Sequence, residues 1–78
     1  MVLHDRVFRY RAAMIADREI EGGLAPDERA QVIRLLGTAI NILSGFGATP
    51  TAQLARLCHD DEVPARVNDR VAKIIASV

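Results

Sequence analysis

The densest run of reactive residue types in this chain is Cys58-His59-Asp60-Asp61-Glu62. A thiol, an imidazole and three carboxylates in five positions invite a metal site, or a nucleophile with its base. The spacing argues against both. Adjacent helical residues point about 100° apart, so Cys58 and His59 do not converge on one ion, and no second ligand pair stands elsewhere to complete a tetrahedral set. His59 is the sequence neighbour of Cys58, not a base reaching across a cleft, and nothing orients the pair for attack. The plainer assignment is a core cysteine, a histidine favoured by the dipole at a helix C-terminus, and carboxylates capping the next helix.

Other candidates are weaker still. His4 beside Asp5 sits near the N-terminus and is expected to be a solvated surface histidine. The only serines, Ser44 and Ser77, lack a nucleophile-elbow context. Gly45-Phe46-Gly47 lacks the G-K-[ST] ending of a phosphate loop and follows a helix, not a strand. The expectation is a protein that is not an enzyme, with no catalytic residue, metal or cofactor.

Nucleic-acid binding is the second chemistry to weigh. The pattern A-T-P-T-A-Q-L-A-R-L, an acidic turn, then P-A-R-V-N-D-R-V-A-K-I has the shape of a helix-turn-helix over residues 50–76. Arg66, Asn68, Arg70 and Lys73 would face a groove. Three acids in the turn oppose this, and so does a net charge of zero, with ten basic residues against ten acidic ones. Arg6, Arg9, Arg11 and Arg18, interleaved with Phe8 and Tyr10, form a second basic strip. On a helix these arginines spread around the cylinder, Arg9 can pair with Asp5 four residues back, and both aromatics suit a core. Nucleic acid is therefore a disfavoured partner.

The elements that must position these residues are helical. Val32–Leu43 reads V-I-R-L-L-G-T-A-I-N-I-L and is apolar around most of its circumference, as befits a central helix touching at least two others. Val32 or Ile33, Leu36, Ile40 and Leu43 make one seam; Leu35, Ala39 and Ile42 make another. The spacing predicts four helices and no strand, at about 2–21, 26–44, 50–58 and 62–77. In the first, Leu3, Val7, Tyr10 and Met14 recur at 4-3-4 spacing as a coiled-coil-like seam, with Phe8 and Ile15 flanking it. Acidic Asp17, Glu19 and Glu21 weaken its end, and Gly22-Gly23 stop it. Pro26 with Asp27 and Glu28 opens the second, and Leu24 can staple back on its first turn. Gly45 is placed to end it in the left-handed conformation, with Phe46 folding back on Ile40. Thr49-Pro50 starts the third, whose inward face is Leu54, Leu57 and Cys58. Asp60 or Asp61 caps the fourth, with Val67, Val71, Ile74, Ile75 and Val78 inward.

At 78 residues the chain is one domain, long enough to bury only about 60% of its unfolded surface. One cysteine cannot form an internal disulfide, and with no signal-peptide pattern it suggests a reducing, cytoplasmic setting. The uncharged span from Leu35 to Ala55 is broken by Gly37, Asn41, Gly45, Gly47 and Pro50, too often for a bilayer crossing, so no membrane is expected. Oligomerisation is the remaining remedy for a small core. Small residues on the stripe Arg34, Gly37, Thr38, Asn41 and Ser44 allow close approach of another helix, and Asn41 can fix register; the alternative is that this stripe is simply the solvent side.

The expectation is thus an all-α protein, a small four-helix bundle completed as a homo-oligomer, with a dimer favoured. Leu3, Val7, Tyr10, Met14, Gly37 and Asn41 are the interface candidates. The leading function is a non-enzymatic protein–protein interaction module, a small adaptor, inhibitor or regulator with a protein partner of unknown identity. The alternatives are a small DNA-binding regulator using residues 50–76, and an accessory subunit of a larger enzyme complex.

Overall fold

A computed structural model describes residues 2–19 and 23–78, with side chains described for 2–14 and 23–78. The acidic end of the first helix, Ile15, Arg18 and the Gly22 stop lie outside the described side chains. Among the described residues there are four helices: α1 (Asp5–Glu19), α2 (Pro26–Phe46), α3 (Thr51–Cys58) and α4 (Ala65–Ser77). The all-α expectation holds, with α2 central. It packs against α1, α3 and α4 alike.

Contrary to the expectation of no strand, one short strand pairing is present among the described residues. Val2–Leu3 (β1) runs antiparallel to Thr49–Pro50 (β2), with Val2 opposite Pro50 and Leu3 opposite Thr49. Two residues are too few to display a period of two, so the pairing leaves no trace in the pattern. It removes Leu3 from the first helix, which begins at Asp5 instead. It also removes Thr49 from the cap of α3: its hydroxyl donates to the Gly47 carbonyl at 3.2 Å, and Pro50 takes the N-cap position.

The core is built from Leu3, Phe8 and Ala12, from Val32, Leu35, Leu36, Ala39 and Leu43 on α2, and from Leu54, Cys58, Val63, Val67, Val71, Ile74, Ile75 and Val78. Each fully buried large side chain contributes about 1.5–3 kcal/mol of transfer free energy. On α2 the buried positions recur at three and four residues and span roughly 100° of the helix, as 3.6 residues per turn requires. Val32, not Ile33, takes the inward position; Ile33 is exposed. Val67, Val71, Ile74 and Ile75 on α4, and Val78 just past its end, are all inward as expected.

The inward face of α1 differs from the expected seam. Phe8 and Ala12 face the core, whereas Val7, Tyr10 and Met14 face outward. With Leu3 in an extended segment the 4-3-4 series loses its first member. The strip holding the bulkiest ring, Phe8, with Ala12 permitting close approach, docks instead.

Helix ends depart from expectation for local reasons. α2 continues through Gly45 to Phe46, and the positive-φ residue is Gly47 (φ 75°), whose N–H donates to the Leu43 carbonyl at 2.9 Å. Phe46 therefore does not fold back on Ile40. At the start of α4, Pro64 is the N-cap residue and no side chain caps the helix. Asp60 holds the preceding turn instead, accepting the Glu62 N–H at 2.9 Å.

Candidate functional site

The structure takes the Cys58–Glu62 cluster apart. Cys58 is buried, and burial pushes its thiol up to about 11, the opposite of an activated nucleophile. His59 is exposed and shares a 3.0 Å contact with Asp61. Asp60 accepts from Arg34 at 2.9 Å, and that guanidinium, with the Glu62 N–H, holds its carboxyl below the usual value. No group of His, Cys, Asp or Glu among the described residues is placed to hold a metal ion. None of the described helices is long and apolar enough to cross a membrane.

Two of the groove-facing candidates on α4 are engaged inside the fold. The Asn68 amide brackets the Asp60 backbone, accepting its N–H at 3.0 Å and donating to its carbonyl at 2.7 Å. Arg66 donates from Nε to the carboxylate of Glu28, a buried acid on α2. Arg70 is half-buried and Lys73 exposed. A shallow depression of about 390 Å³ between α3 and α4 is lined by Ala55, Arg56, His59 and Ala72.

The stripe on α2 faces away from the core of its own chain. Asn41 and Ser44 are exposed, and a Cβ added at Gly37 would meet no neighbouring atom within 4 Å. Thr38 donates back to the Arg34 carbonyl at 3.2 Å. Ser44 joins the end of α2 to the start of α1 by donating to Asp5 at 3.1 Å. Asp5 also accepts from Arg9 at 2.9 Å, the pair expected from their spacing, and Arg9 chiefly accounts for its lowered pKa.

The fold also leaves several large apolar side chains outside. Val2, Val7, Tyr10, Met14, Ile33, Phe46 and Leu57 are all large and exposed, Phe46 at 81% and Tyr10 at 71%. Five of them gather in two places. Val7, Tyr10 and Met14 share the outward face of α1, while Leu3, expected beside them, is sealed in the core. Phe46 and Leu57 meet at a cavity of about 290 Å³ lined also by Ile42, Ala48, Thr49, Pro50 and Gln53. No charged side chain lines it.

Comparison with protein-family models, curated proteins and solved structures gives no match to this chain.

Leu57 was expected inward, and Phe46 folded against its own helix. Phe46 continues the Leu35-Ala39-Ile42 row at helical spacing, so the pattern alone assigns it to the buried side. It lies at the last residue of α2, where it lines the open cavity with Leu57. The legible signal was an aromatic ring between two glycines in a span of chain without charge.

Proposed function

We propose that this protein is a non-enzymatic protein–protein interaction module, an adaptor or regulator acting through exposed apolar surfaces and working as a homodimer. Phe46 carries this reading. A phenylalanine on the core-facing row of the central helix, left 81% exposed beside an apolar cavity, has the position of a core residue whose partner is another chain. A closed two-fold interface sets residues near the axis against their own copies. The uncharged lining of the Phe46–Leu57 cavity meets that condition without like-charge repulsion. Aromatic anchors of this kind dominate interface energetics. The lone buried thiol suits a reducing, cytoplasmic setting. DNA binding through residues 50–76 draws less support, since Arg66 and Asn68 already serve the fold.

The reading is tested by light scattering on the chain and on Phe46→Glu at equal concentration. The native chain should show dimer mass and the variant single-chain mass, with identical helicity. Equal masses for the two would sink the assignment of self-association to the Phe46 surface.

A further inference from the structure

The second apolar surface differs from the first in its charges, and that difference names its partner. At 100° per residue, Val7, Tyr10 and Met14 fall within an arc of about 60° on α1, and Arg6 and Arg11 stand about 40° beyond its two edges. Both arginines are exposed, and neither makes an ion pair within 4 Å among the described residues. The one described carboxylate of α1, Asp5, lies at the half-buried inward edge, where it binds Arg9 and Ser44. Over residues 6–14 the outward strip is thus an apolar band with an exposed cation beyond each edge, Arg6 also lying near enough to Asp5 to help lower its pKa.

Resting on the interaction-module reading, we propose that this face of α1 docks an acidic amphipathic helix of a different protein, with apolar residues against Val7, Tyr10 and Met14 and carboxylates against Arg6 and Arg11. A second copy of the chain fits less well, because over residues 6–14 this face offers an arginine at each rim and no carboxylate to meet it. A nucleic acid would leave the three apolar side chains unused and find only two cations where backbone binding uses many. An anionic membrane would meet a band of three apolar residues whose helix already spends its other face on the core, well short of an interfacial helix. A partner helix at i, i+3, i+7 spacing matches both the band and its rims.

The test uses the full chain and two designed helical peptides sharing one leucine stripe, flanked by glutamates in one and by lysines in the other. Amide chemical shifts report where each binds, and fluorescence anisotropy reports how tightly. The glutamate peptide should perturb residues 6–14 and bind about tenfold or more tightly than its lysine twin, by rim electrostatics. Arg6→Gln with Arg11→Gln should remove most of that preference, and Tyr10→Ser should abolish binding with helicity intact. Equal affinity for the two peptides, binding elsewhere, or no binding of the glutamate peptide overturns the proposal. Tyr10-dependent capture by phosphatidylserine vesicles without peptide binding also overturns it, in favour of a lipid surface. Any of these leaves the Phe46-dependent dimer standing, and loss of that dimer is read separately from the mass of the same samples.

Discussion

Arg66 and Glu28, 38 residues apart, are joined by a hydrogen bond from the guanidinium Nε to the buried carboxylate, tying the first turn of α4 to the first turn of α2. The other carboxylate oxygen of Glu28 accepts the Ala25 N–H at 3.1 Å. This is half of a capping box; alanine at the N-cap has no side-chain acceptor to supply the other half. One acid thus satisfies an orphan donor of the central helix and fixes the direction of the last one.

The Ala25 N–H, with Arg66 adding to it and burial opposing, holds the Glu28 carboxyl below its ordinary value. A depressed folded pKa contributes stability that is present above the unfolded value and lost as pH falls through the folded one. Glu28→Gln should therefore lower the thermal midpoint at pH 7. The gap from the native chain should close as pH drops below about 4, the ordinary carboxylate range, because native Glu28 is then protonated too. Melting curves by circular dichroism across pH 2–8 check this. A gap independent of pH contradicts it. Asp5 and Asp60 are shifted in the same direction, by Arg9 and Arg34 first, and add to the acid sensitivity.

The two aromatics of α1 should behave oppositely. Phe8 is fully buried, so Phe8→Ala should cost about 3–5 kcal/mol. That is a large share of the total of about 4–12 kcal/mol expected for a domain of this length. Tyr10→Ala, on the exposed face, should change stability by less than about 0.5 kcal/mol. Urea denaturation of the two variants decides it, and equal costs would mean that α1 is rotated about its axis.

Asn68→Ala should destabilise the fold by about 1–3 kcal/mol, because it leaves a part-buried Asp60 N–H and carbonyl without their partner. Asn68→Asp restores the acceptor and not the donor, and should fall between. Denaturant midpoints that do not move would show that the bracket is dispensable.

Cys58 should resist modification. With its thiol at about 11 and its side chain buried, the thiolate is scarce at pH 8. Labelling by iodoacetamide should be slow in the native protein and become fast on adding denaturant. Rapid labelling of native protein would contradict the assigned burial.

The four helices and the inward face of α4 were legible because each rests on local periodicity that tertiary structure did not override. α4 carries only one apolar strip, so its face was decided by sequence. α1 carries two, Leu3-Val7-Tyr10-Met14 and Phe8-Ala12, and their spacing alone does not choose between them. The choice came from the β1–β2 pairing 46 residues further on, which takes Leu3 out of the helix. The Glu28–Arg66 bond was illegible for the same reason: charges on two helices reveal a pair only once the helices are placed. The exposed Phe46 lay hidden because residues of the buried row repeat identically up to the point where the packing partners run out.

The most direct measurement is the solution mass by light scattering over a dilution series, with helicity read on the same samples. Among the described residues sixteen buried apolar side chains form a core within one chain, so mass should fall from dimer to monomer on dilution while helicity stays constant. Helicity lost together with mass would mean that the core is completed only by the second copy. A single-chain mass at every concentration would contradict self-association through the Phe46–Leu57 surface.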